Sequence, residues 1–167
     1  MSYFAAVVAR TNDRWHAVEV SVDDCESLAD LGDVARDVPG EVRLLVLEQD
    51  DEYAALVRVD DDDDEARGFL SDGHAADAYP MAALLVEDLT EIAEIGADEI
   101  DDDNILSDAP PTHESMPFGD AEIAEDLGTS AADLLSMCEH LGTLPIDVLV
   151  AVCEKAGCGQ AFEDVRA

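Results

Sequence analysis

Residues Val42 to Leu47 read VRLLVL, an almost continuous apolar run of strand length. A half-buried strand alternates apolar and polar side chains, whereas a run without a polar side needs cover on both faces. The run therefore predicts a central strand buried on both faces. Its neighbours in sequence supply more strands. Tyr3 to Ala9 is apolar, and Thr11-Asn12-Asp13 forms a polar turn. Trp15 to Val22 then alternates, which together reads as a hairpin. Tyr53 to Val59 returns from a turn at Glu48 to Glu52, and Gly68 to Ser71 gives a further short strand.

Between the first hairpin and the central run, Leu28, Leu31, Val34, Ala35 and Val38 recur at helical spacing up to Pro39-Gly40. Ser21 or Asp23 offers a cap for that helix, with Glu26 three residues after Asp23 in capping-box spacing. Asp72 to Tyr79 can open a second helix, with a break at Pro80 and the apolar pattern resuming from Met81 to Val86. The order β-β-α-β-β-β-α predicts an α+β domain, an antiparallel sheet with these helices on one face. Residues 1–88 would form this sheet domain, 89–118 an acidic flexible linker, and 119–167 a small C-terminal helical bundle.

Turn chemistry divides the bundle. Asp120 to Leu127 ends at Gly128, and Thr129 or Ser130 caps a helix carrying Leu134, Leu135, Cys138 and Leu141 as far as Gly142. Pro145 restarts a helix with Ile146, Leu149, Val150 and Cys153 on one face, ending at Gly157. Gln160 to Val165 adds a short turn. The bundle docks on the sheet or on another chain.

Charge limits what such a chain can bind. It carries 42 Asp and Glu against 8 Lys and Arg, a formal net charge of -34. Nucleic-acid binding depends on basic side chains that neutralise phosphates. Here Lys155 and the scattered arginines Arg10, Arg14, Arg36, Arg43, Arg58, Arg67 and Arg166 make no stripe. Direct contact with nucleic acid or an anionic membrane is therefore excluded, and a basic protein partner or a cation fits the field. Solubility or a salt-rich host would account for the acidity equally well.

No stretch approaches the roughly 20 apolar residues of a membrane-spanning helix, so a cytoplasmic protein with reduced thiols at Cys25, Cys138, Cys153 and Cys158 is expected. Cys153 and Cys158 lack the second half of a zinc site, and Cys138 and Cys153 fall on apolar helix faces, where a core role is expected. The acidic runs Asp60 to Glu65 and Asp98 to Asp103 lack the glycine and glutamate register of a calcium loop. No catalytic residue, cofactor or metal site is assigned. The expected partner-binding residues are Trp15, Glu48, Asp51, Glu52, Asp61, Asp62, Asp63 and Asp64. Trp15 is either a core residue or an exposed anchor.

Several blocks in order carry a resemblance: SYFAAVVART, EQDDEYAALVRVD, FLSD, LLVED, and GDAEIAEDLGTSAADLLSMCEHLGTLPIDVLVAVCEKAGC. Together they resemble the tRNA adenosine deaminase-associated proteins of actinobacteria. Such proteins are encoded beside the zinc enzyme that converts adenosine to inosine at the anticodon wobble position. The resemblance implies an accessory protein, with a tRNA-specific adenosine deaminase as its basic partner, and brings no catalytic residues. A ligand-binding or enzymatic module, or a self-associating scaffold, is the alternative.

Overall fold

A computed structural model describes residues 3–60, 66–96, 117–139 and 144–166. The acidic residues Asp61, Asp62, Asp63 and Asp64, the run Asp98 to Asp103, His113, His140, and the predicted helix end at Leu141 and Gly142 lie outside them. Six antiparallel strands form one sheet in the order β2-β1-β3-β4-β5-β6. They are β1 (Tyr3–Thr11), β2 (Arg14–Glu19), β3 (Val42–Gln49), β4 (Tyr53–Asp60), β5 (Arg67–Leu70) and β6 (Phe118–Gly119). The run predicted to be central is β3, flanked by β1 and β4 and buried on both faces.

Alternation then assigns every side chain in the middle of the sheet to one of two cores. Val7, Leu45, Leu47, Ala55, Val57 and Val59 face one way, towards α1 (Leu28–Arg36) and α2 (Pro80–Gly96). Val8, Leu44, Val46, Ala54 and Leu56 face the other way, towards α3 (Ala131–Glu139), α4 (Pro145–Ala156) and α5 (Gly159–Arg166). The first two helices therefore cover one face, as the order of elements implied. The C-terminal helices dock on the opposite face of the same sheet. Full burial of one such aliphatic side chain stabilises the fold by about 1.5–3 kcal/mol, so two complete cores are a strong reason for the layers to stay together.

Local chemistry explains the joints, and in places departs from the sequence expectation. The β1–β2 turn places Asn12 and Asp13 at φ 53° and 64°, and the β3–β4 turn places Asp50 and Asp51 at 53° and 59°. These pairs take the left-handed backbone conformation that suits tight hairpins with the strands' right-handed twist, and Asn and Asp tolerate it better than most residues. The cap of α1 is Ser27, not Ser21 or Asp23: its hydroxyl accepts from the Asp30 amide at 3.1 Å. Asp88 of α2 takes the Leu28 amide at 2.6 Å, which ties the start of α1 to its neighbour. Pro80 does not break a helix that has already begun. A 3₁₀ turn at Gly73–Asp77 precedes it, and Pro80 opens α2, where its missing N–H costs nothing. The helix then continues to Gly96, beyond the expected start of the acidic segment at residue 89.

The C-terminal layer begins with β6, a two-residue strand absent from the sequence reading. Gly119 lies at φ 105°, and a Cβ there would sit 2.5 Å from the Gly68 carbonyl oxygen, so only glycine fits. Ser130 caps α3, accepting from the Asp133 amide at 3.1 Å. In α4 the buried stripe is Val148, Leu149, Val152 and Cys153, while Ile146 and Val150 sit at its margin. This is a rotation of the face read from sequence. The turn predicted at Gln160 to Val165 is the helix α5, whose Phe162 is fully buried and meets Phe4 edge-on at 5.8 Å.

Phe162→Ala should therefore destabilise the whole chain by about 3–5 kcal/mol. Urea unfolding followed by far-ultraviolet circular dichroism should show one shifted transition, with no early loss of the C-terminal helices.

Candidate partner-binding surface

The described members of the predicted partner set occupy two ends of the sheet. Trp15 on β2 is level with Arg10 on β1, Val42 on β3 and Asp60 on β4. Trp15 thus shares an end with Asp60, three strands away. Neighbouring strands are about 4.8 Å apart, so the lateral separation is roughly 14 Å. Glu48, Asp51 and Glu52 belong to the β3–β4 hairpin at the other end, and Glu48 is six positions from Val42 along β3. At about 3.3 Å per residue that is roughly 20 Å. The described residues in the set do not form one patch.

Trp15 is half-buried against the C-terminal core, with the Arg10 guanidinium 5.7 Å from its ring centre. Gly157, the left-handed residue that ends α4, approaches the indole closely. Trp15 packs against the C-terminal core on one side, and the cation over its ring is the chain's own Arg10. The hairpin is more exposed. Burial first, then the hydrogen bond and charge of Asp51, push the Glu48 carboxyl above the usual carboxylate range. Tyr53 and Tyr79 stack beneath this hairpin, with ring centres 5.5 Å apart.

Arg58 was read from sequence only as one of several scattered arginines, yet it organises the opposite end. Its side chain is 2% exposed, on the face covered by the C-terminal helices. Nη1 donates to the Ile123 carbonyl at 2.8 Å and to Asp126, and Nη2 reaches the other Asp126 oxygen at 2.8 Å. Nε and Nη2 also bind Asp60, at 2.8 and 3.1 Å. Burial opposes the guanidinium's charge, but the hydrogen bonds to Asp126 and Asp60 outweigh it. In return, Arg58 holds Asp126 below the usual carboxylate range, against the effect of burial. A signal was available in the sequence: Arg58 is the one charge inside the apolar strand Tyr53 to Val59.

Other cations are also engaged from within. Arg36 binds Asp33 at 3.1 Å, Arg67 binds Asp120 at 3.4 Å, and Lys155 binds Asp133 at 3.2 Å. Cys138, Cys153 and Cys158 are buried thiols of the C-terminal core, in keeping with the apolar faces on which Cys138 and Cys153 fell. The hydrogen bond to Cys158, together with burial, pushes Cys153 up. Among the described residues, no group of three or more His, Cys, Asp and Glu is placed to hold a metal, and no helix is long and apolar enough to cross a membrane.

Fold and surface define an α+β protein whose sheet is covered on both faces and four of whose eight Lys and Arg are bound to its own carboxylates. A family model, described as Rv3753c-like tRNA adenosine deaminase-associated protein, matches residues 3–159. The chain belongs to this family. Neither a curated protein nor a solved structure matches it.

Two substitutions test the electrostatics. Arg58→Lys cannot reproduce the forked contacts and should cost about 2–4 kcal/mol in urea unfolding. Asp126→Asn should cost only about 1 kcal/mol, because that carboxylate is 65% exposed and largely screened. Glu48→Gln should stabilise the fold at pH 7 by about 0.5 kcal/mol. A carboxyl raised on folding contributes stability at low pH and loses it as pH rises through its folded value. The variant's advantage should therefore shrink as pH falls from 7 towards 5, measured by thermal unfolding.

Proposed function

We propose that this chain is a non-catalytic acidic accessory protein that binds a basic surface of the tRNA-specific adenosine deaminase for which its family is named. The observation that carries this is the charge imbalance and how it is disposed. Forty-two carboxylates face 8 cations, and Arg36, Arg58, Arg67 and Lys155 are each bound to an acidic side chain of the chain itself. Such a surface repels phosphate and attracts lysine and arginine. An enzyme that grips tRNA must present a basic face, and an acidic protein seated there would modulate tRNA access or keep the free enzyme soluble. The complex would form in the cytoplasm, where the buried thiols stay reduced.

Mixing the purified proteins should give co-elution at about 50 mM salt and dispersal at about 0.5 M, where the screening length falls from roughly 14 Å to 4 Å. Deamination of tRNA should change in rate when the complex forms. The free chain should behave oppositely, gaining thermal stability with salt as its self-repulsion is screened. Absence of both co-elution and a rate change would sink the proposal. Light scattering on the same eluate would show whether the chain self-associates through the β2 edge, where Val18 is exposed.

A further inference from the structure

We propose that the cavity between the sheet and α2 seats an apolar side chain of that basic partner, with rim carboxylates taking the lysines or arginines beside it. This rests on the accessory function above and names its anchor point. The cavity has a volume of about 460 Å³ and opens at the Gln49 end of the sheet. That is within the range of sites that bury a small ligand or a large side chain. Its walls are apolar: Val22, Leu47, Met81 and Leu84. Met81 brings a flexible thioether that adapts to different shapes.

One polar group is turned into this apolar space. Gln49 is 9% exposed and lines the cavity. Its Oε1 accepts the Tyr53 hydroxyl at 2.7 Å, which leaves the carboxamide N–H donors without an acceptor among the described residues. The Tyr3 hydroxyl, on the same lining, is already engaged by the Val22 amide at 3.1 Å. The carboxamide N–H groups at this lining can donate to an incoming carbonyl oxygen. At the rim stand the exposed carboxylates Asp23 and Glu26, and the lining holds no cation. An anionic ligand is repelled there. The occupant that satisfies all three features is a polypeptide segment with a bulky apolar side chain, a backbone carbonyl and flanking basic residues. Apolar anchors in desolvated pockets carry most of the affinity of such contacts, while rim charges set approach and salt dependence.

Cys25 gives a direct readout. It lines this cavity and is half-buried, whereas Cys138, Cys153 and Cys158 are buried in the other core. Burial, with Asp30 and Asp24 nearby, pushes its thiol up, so its reaction with N-ethylmaleimide should be slow but selective. The full chain would be labelled alone and with the purified deaminase at low salt, and the modified cysteine found by mass spectrometry. Cys25 should react in the free chain and at least about tenfold more slowly in the complex, a factor that corresponds to 1.4 kcal/mol or more of protection. Leu84→Trp, which fills the cavity from its own wall, should weaken the complex by about tenfold or more with unchanged circular dichroism. If the complex forms with Cys25 equally reactive, the anchor is elsewhere and the accessory function stands. Should Cys25 be inert in the free chain, the cavity is already closed and the proposal is overturned. If no complex forms, the accessory function and its anchor fall together. The labelling result stands even if the tryptophan variant does not fold.

Discussion

Everything in this fold follows from a sheet whose central strands have no side that tolerates water. In β3 and β4 residues facing each way are buried, so neither face can be left open. One layer of helices would enclose only half of these side chains, and the bare half would be an aggregation surface. The C-terminal helices are therefore required by strands that lie about 70 residues or more earlier in the chain. The acidic surface becomes possible for the same reason: apolar burial is extensive enough to hold together a chain that repels itself. The low aromatic content, 5%, makes Val, Leu and Ala the main material of both layers, with Phe162, Tyr53 and Phe69 as the largest buried fillers.

Arg58 shows how a charge can be accommodated inside that scheme. A guanidinium on a two-faced strand must point into one of the cores. It is tolerated because its donors meet two carboxylates and a backbone carbonyl, with one of the carboxylates open to solvent. A buried pair of this kind adds little net stability against an apolar residue, but it fixes where the segment around Ile123 and Asp126 must lie. Below that point the layer is set by packing, with Ile123, Leu134 and Leu149 excluded from solvent. Geometry, more than affinity, is what the ion pair contributes.

The strands and the α+β class were legible because period-two alternation and apolar runs are local signals. Val42 to Leu47 and Tyr53 to Val59 needed no tertiary information. The capping residue of α1 was not legible. Serines and aspartates crowd residues 21–30, and the choice of Ser27 depends on Asp88 arriving from another helix to take the Leu28 amide. Pro80 has two meanings in sequence, helix breaker and helix opener, and only the turn packed before it decides. The two residues of β6 carry no pattern at all; they pair because Gly119, having no Cβ, can lie against the Gly68 carbonyl oxygen. The face of α4 was misjudged by one position for a similar reason. Val148 and Val150 are equivalent in composition, and which is buried is set by the docking angle on the sheet.

The candidate surface was legible in its chemistry but not in its arrangement. Carboxylate runs are visible in any sequence, but strand register decides which of them are neighbours. It puts Trp15 at one end and the Glu48 to Glu52 hairpin at the other, next to Gln49 and the cavity behind it. This matters for how an acidic protein could be selective. Charge alone attracts any basic surface and is weakened by salt for all of them alike. Discrimination needs a contact of short range and definite shape, and the proposed seating of an apolar side chain in the cavity would supply one where a carboxylate cluster cannot. On the proposed function, the end of the sheet that joins an exposed acidic hairpin to this cavity would combine long-range attraction with short-range fit, in residues that the sheet itself holds in place.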